Sequence, residues 1–127
     1  MLNLHVALEI PSLNYYVGPK AHWKYYSAKK KWQEQIAMAL MIEKANGRVH
    51  AMDFPPCKSR RRLTVTAYRN RLIDPGNLDT KALEDALKRE RLIVDDSAKW
   101  LDRNKVEQVS VGKHGVAWTN IVLENIP

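Results

Sequence analysis

Residues 62–96 read RLTVTAYRNRLIDPGNLDTKALEDALKRERLIVDD. Leu63, Val65 and Ala67 alternate with Thr64, Thr66 and Tyr68, which predicts a strand over 62–68 with one polar face. Asp74-Pro75-Gly76-Asn77 has the composition of a tight turn. A helix is expected from Leu78 to Glu90, because Ala82, Leu83, Ala86 and Leu87 make one apolar stripe. Leu92-Ile93-Val94 is a short apolar plug, and Asp95-Asp96-Ser97 breaks the chain after it.

Upstream, Leu2 to Ile10 alternates apolar and polar residues as a strand does, and Pro11 ends it. Residues 14–27 are aromatic and polar and are interrupted by Gly18 and Pro19, so an ordered loop is expected, with Ser27 as the N-cap of the first long helix. Trp32, Ile36 and Leu40, with Ala39 beside them, form the apolar stripe of that helix, and Asn46-Gly47 stops it. Pro55 and Pro56 exclude helix over 53–59. Downstream, two strands are expected near Lys105 to Val111 and Val116 to Leu123, joined at Lys113-His114-Gly115. The last has apolar residues on both faces, which places it centrally in a sheet. The order is β-α-β-α-β-β. It predicts one α/β (α+β) domain over residues 1–127, with a mixed sheet of about four strands and two helices.

The bulk properties agree. The chain has 127 residues, 45% of them hydrophobic, which is enough for one core and too short for two. No stretch approaches the roughly 20 apolar residues of a membrane span, and MLNLHVALEI lacks the basic opening of a signal peptide. Cys57 is the only cysteine, so neither an internal disulfide nor a thiolate zinc cluster is possible and a cytoplasmic protein is expected. A net charge of +7 and a pI near 9.6 point to polyanionic partners, nucleic acid first.

The charges are unevenly placed. Lys29, Lys30 and Lys31 form one basic run, preceded by Lys20 and Lys24; Arg60, Arg61 and Arg62 form another, followed by Arg69 and Arg71. Runs of like charge suit phosphate contact, which carries no base information. Asp74, Asp79, Glu84, Asp85, Asp95, Asp96 and Asp102 all lie in one segment. Carboxylates repel phosphate unless a cation lies between them, so acids set among basic patches suit a metal-dependent nuclease. Mg²⁺ prefers carboxylate oxygens and waters, Mn²⁺ can replace it, and a lysine such as Lys81 can stabilise transition-state charge. Asp-Asp pairs are also common in solvated turns, so the acids alone leave a turn reading open. Glu84 is expected to be ordinary helix-surface charge, and Asp53 and Asp102 loop solvation.

The stretch DPGNLDTKALEDALKRERLIVDDSAKW resembles the signature region of the RusA-type Holliday-junction resolvases. That family has an Asp-x-Asp-Asn-Leu turn, a lysine opening the next helix, an Asp-Ala/Gly-Leu within it, and an Asp-Asp pair after a short apolar run. The matching residues are Asp74, Asn77-Leu78, Lys81, Asp85-Ala86-Leu87 and Asp95-Asp96. The similarity extends, less specifically, to Pro11, Ser12 and Asn14, the aromatic-basic loop, the first helix and the closing strands. The resemblance implies a Mg²⁺-dependent homodimer that resolves four-way DNA junctions by paired nicks during recombination and repair. It assigns the chemistry to Asp74, Lys81, Asp95 and Asp96, with Asp74, Asp95 and Asp96 as metal ligands. Two departures stand out. Gly76 falls where the family has its second turn acid, and one extra residue separates Asn77 from Lys81. Asp79, within that interval, is either a replacement ligand or a helix cap. The alternative function is a catalytically weakened relative that binds nucleic acid without cutting it.

His5, His22, His50 and His114 show no ligand spacing and are read as surface or structural. Trp23, Tyr25 and Tyr26 flank Lys24 and could stack on bases near a junction. For Trp23, packing on the sheet is expected instead. Trp32, Trp100 and Trp118 are read as core or dimer interface.

Overall fold

The computed structural model describes residues 1–127. Its principal elements are β1 (Leu2–Val6), α1 (Ala21–Ala45), β2 (Arg61–Arg69), α2 (Lys81–Arg89), β3 (Leu101–Ser110) and β4 (Trp118–Asn125), with single 3-10 turns at Leu13–Tyr16, Ala51–Asp53 and Pro75–Asn77. The strands form one mixed sheet in the order β1-β4-β2-β3, with β4 antiparallel to both neighbours and β2 parallel to β3. This is the α+β architecture expected, with β4 central. No helix is long and apolar enough to cross a membrane.

Strand alternation builds two layers. Leu2, Leu4 and Val6 of β1, Leu63, Val65 and Ala67 of β2, and Ile121 and Leu123 of β4 are buried and share one core with the helices. Trp32, Ile36, Ala39 and Leu40 from α1 enter it, with Ala82, Leu83, Ala86 and Leu87 from α2. The opposite face carries no helix. Across it His5, Trp118 and Tyr68 stack, with ring centres 3.8 and 4.2 Å apart.

Several boundaries differ from those expected. The first helix begins at Ala21, so Ser27 is an exposed residue inside it and not its N-cap. Tyr25 and Ala28, packed against the core, extend the stripe of Trp32 and Ile36 backwards at helical spacing, and Gly18, at φ 100°, turns the chain just before Pro19. The second helix begins at Lys81, later than Leu78. Leu78 is held in a short β-bridge with Ser12, and the Asp79 N–H donates to the Pro11 carbonyl. The two final strands are not a hairpin, because β2 lies between β3 and β4.

Residues expected in solvent also prove structural. Asp53 is buried and pairs with Arg61 at 3.5 Å and with the N-terminal ammonium at 3.4 Å. Asp102 lies in β3, 2.8 Å from Arg62. Glu84 is buried against Arg103, at 2.6 Å. In each case a facing guanidinium supplies hydrogen bonds or an ion pair that offset the loss of water.

Candidate functional site

The site is built on α2 and the segments at its two ends. Before it, Asp74 caps the 3-10 turn, its Oδ1 accepting from the Gly76 N–H at 2.9 Å. The turn is tied to the sheet because Ile73 donates to and accepts from the Gln108 side chain, at 3.0 and 2.6 Å. Asp79 Oδ1 accepts from the Lys81 N–H at 2.9 Å, which satisfies one of the otherwise open donors at the helix start. An Asp79→Ala variant should therefore lose about 1 kcal/mol of stability, read as a lower urea midpoint with an unchanged slope.

Lys81, Asp85 and Lys88 are spaced i, i+4, i+7 and share one face of α2, with Lys81 and Lys88 about 10 Å apart along the axis. At the first end, the Tyr25 hydroxyl of α1 donates to Asp85, and the Lys81 ammonium lies 5.1 Å from the Tyr25 ring centre. Burial, and then the bond to Asp85, push the Tyr25 hydroxyl well above its ordinary range, so it stays protonated as the donor. Tyr16 packs edge-on against Tyr25 at 5.5 Å. Burial, with Asp79 nearby, pushes it up to about 12.

At the second end, Arg91 adopts φ 59° and reverses the chain, and Leu92 and Ile93 anchor the return in the core. Asp95 and Asp96 emerge beside Lys88, whose ammonium lies 3.6 and 3.8 Å from their carboxylates. Arg103 of β3 holds this return in place, donating to the Asp96 carbonyl at 2.7 Å while paired with Glu84. The Asp96 backbone N–H, ahead of the Ser97 hydroxyl and the Lys88 ammonium, holds the Asp95 carboxyl below the usual range.

The expected residues thus fall into three places. Asp95 and Asp96 lie together at Lys88; Lys81 lies with Tyr25, next to the backbone cap from Asp79; Asp74 remains within its own turn. No three His, Cys, Asp or Glu side chains form a group able to hold a metal ion. Asp95 and Asp96 are partly exposed oxygen donors that face one cation, the Lys88 ammonium, at 3.6 and 3.8 Å. Mg²⁺ needs only one or two carboxylates because it retains waters. Tyr25, Lys88 and Arg103 are additions to the site. Lys88 was legible as the next position on the Lys81–Asp85 face, whereas Tyr25 and Arg103 come from other elements and had no local signal.

The basic residues divide. Lys30 and Lys31 are exposed on α1 and Lys29 is half-buried; none of the three forms an ion pair. Arg71 is exposed, and the half-buried Arg60 side chain has no acidic partner. Of the arginines expected at phosphate, Arg61 and Arg69 are buried in the fold, and Arg62 is partly exposed but ion-paired. Arg61 is 1% exposed and donates to Asn125 and to the Leu92 carbonyl. Arg62 lies between Asp102 and Glu124, and Arg69 is buried and donates to the carbonyls of Ile10 and Arg71. Trp23, expected to pack on the sheet, is 73% exposed.

Fold and site together define a two-layer α+β domain in which an acid-and-lysine helix face adjoins a basic helix. No protein-family model and no curated protein matches the chain.

Proposed function

We propose that the chain is a Mg²⁺-dependent, structure-selective endodeoxyribonuclease that resolves four-way DNA junctions by paired nicks, as its resemblance to the RusA-type resolvases implies. The observation that carries this reading is the Lys81–Asp85–Lys88 face of α2, with Asp95 and Asp96 at one end and the lysine-bearing half of α1 at the other. Asp95 and Asp96 would hold the metal, which supplies charge neutralisation and an acidified water. From the resemblance, Lys81 would stabilise negative charge on the phosphoryl oxygens, although its ammonium lies at the Tyr25 ring and not at Asp95 and Asp96. Tyr25 holds Asp85 in a fixed orientation next to Lys81. Asp74 has a ligand role from the resemblance alone. The free Cys57 fits a reducing cytoplasm.

Gly76, which offers no side-chain ligand at the family's second turn acid, favours a second reading as a DNA-binding relative without catalysis. Metal separates the two. Titration with Mn²⁺ should broaden the amide NMR signals of Asp95 and Asp96 selectively, and the broadening should vanish in Asp96→Asn. Uniform or absent broadening would favour the binding module.

The same reading calls for a homodimer, since two opposed strands must be cut and a two-fold dimer offers two equivalent sites. The uncovered sheet face is the surface we assign to it. Its stacked rings offer flat aromatic surface, and its charges are already paired within the face, Arg62 with Asp102 and Glu124 and Lys105 with Glu107, so it has little to offer phosphate. Light scattering at micromolar concentration should give twice the chain mass, and a monomer mass would contradict the assignment.

A further inference from the structure

Residues 10–33 contain five lysines and no acid. Lys20, Lys24, Lys29, Lys30 and Lys31 all lie at or within the first half of α1, and none forms an ion pair. Elsewhere in the chain Arg48, Arg61, Arg62, Arg69, Lys88, Arg103 and Lys105 each face an acid. Aromatic rings stand among these free lysines. Trp23 is 73% exposed and Tyr26 57%, three residues apart on one side of the helix. The Lys29 ammonium lies 5.8 Å from the Tyr26 ring centre, and that of Lys24 lies 5.4 Å from the ring centre of Tyr15, itself half exposed. The apolar stripe of α1 is already buried through Trp32, Ile36 and Leu40, so Trp23 is not part of the core.

We infer that this half of α1 is a binding surface for an unpaired DNA strand, on which Trp23 stacks against an exposed base while the lysines contact the flanking phosphates. Free ammonium groups match the charge of a phosphate backbone. Exposed rings interleaved with them add what the backbone alone does not need, a flat surface for a base that has left its stack. A fully paired duplex presents no such base. Tyr25, on the same turn of the helix, bonds Asp85 of α2 and lies against Lys81, whereas Trp23 is roughly 160° round the helix from it and faces solvent. The inference rests on the junction-cutting reading. It adds that Trp23 supplies the preference for unpaired nucleotides at a branch.

The test uses the full chain in EDTA, so that binding is read without cleavage. Affinities of the wild type, Trp23→Ala and Trp23→Phe are measured for an oligo-dT strand, a four-way junction and a linear duplex of equal length. Trp23→Ala should weaken strand and junction binding by about tenfold and duplex binding by no more than about twofold, with Trp23→Phe recovering most of the loss. Replacing Lys29, Lys30 and Lys31 by Gln should weaken all three alike and flatten the salt dependence. Equal loss on the three DNAs in Trp23→Ala, or no loss, would overturn the inference. So would binding to phosphatidylserine vesicles without binding to oligo-dT, which would make the surface a membrane contact. If the wild type cuts junctions while Trp23→Ala binds normally, this inference alone fails. If the Trp23 effect is present and no junction is ever cut, the nuclease reading alone fails.

Discussion

An Asp96→Asn variant should leave a four-way junction uncut in Mg²⁺ while binding it as tightly as the unaltered chain, or more tightly. The carboxylate that repels phosphate is removed, while the part of Asp96 that holds the fold remains. Arg103 bonds its backbone carbonyl, and the buried residues Leu92 and Ile93 anchor the return. Loss of cleavage without loss of folding would therefore report on chemistry. Lys81→Ala should lower the rate by about 10²-fold or more if its ammonium stabilises transition-state charge. Its main structural contacts are a backbone cap from Asp79 and the Tyr25 ring, and the cap survives truncation. Asp74→Asn is predicted from the resemblance to abolish cleavage as well. Since Asp74 lies within its own turn, its variant separates a catalytic role from a local one. Full cleavage by Asp96→Asn would reject the site.

The second large effect is on stability. Arg61 joins four parts of the fold: it extends from β2 to Asp53 of the 3-10 turn, to Asn125 at the end of β4 and to the Leu92 carbonyl after α2. Both members of the ion pair are buried, Arg61 at 1% and Asp53 at 3% exposure. Removing one member of a buried pair leaves the other charge without its partner, which costs about 3–5 kcal/mol. Asp53→Ala should therefore lower stability by about 3 kcal/mol or more, seen as a large fall in the urea midpoint. A change no larger than that of an exposed substitution would mean that the two remaining Arg61 bonds hold the guanidinium unaided.

Arg61 also shows where strand periodicity outweighs a charge run. The alternation that puts Leu63, Val65 and Ala67 inside puts Arg61 and Arg69 on the same side, because all five share one parity along β2. Within the run Arg60, Arg61 and Arg62, alternation therefore buries Arg61 while its neighbours stay partly exposed. The β2 strand, the stripe of α2 and the central place of β4 follow directly from local periodicity. Strand order does not, and the insertion of β2 between β3 and β4 depends on how α2 crosses over the core. The start of α1 was obscured because Tyr25 and Tyr26 suit a loop as well as a helix. Only the packing of Tyr25 against Tyr16 and Asp85 makes it part of the stripe. At the site, the Lys81–Asp85 pairing on one face was legible from spacing. The approach of Asp95 and Asp96 to Lys88 depends on the Arg91 reversal and the Arg103 bond, neither of which has a local pattern.

The most direct measurement is cleavage of a synthetic four-way junction beside a linear duplex of the same sequence, each incubated with the protein in Mg²⁺ and in EDTA and resolved on a denaturing gel with either strand labelled. Nicks at symmetric positions in opposed strands of the junction, in Mg²⁺ only and with the linear duplex intact, are the predicted result. An uncut junction in Mg²⁺ and Mn²⁺ at protein concentrations that saturate binding would contradict the nuclease reading.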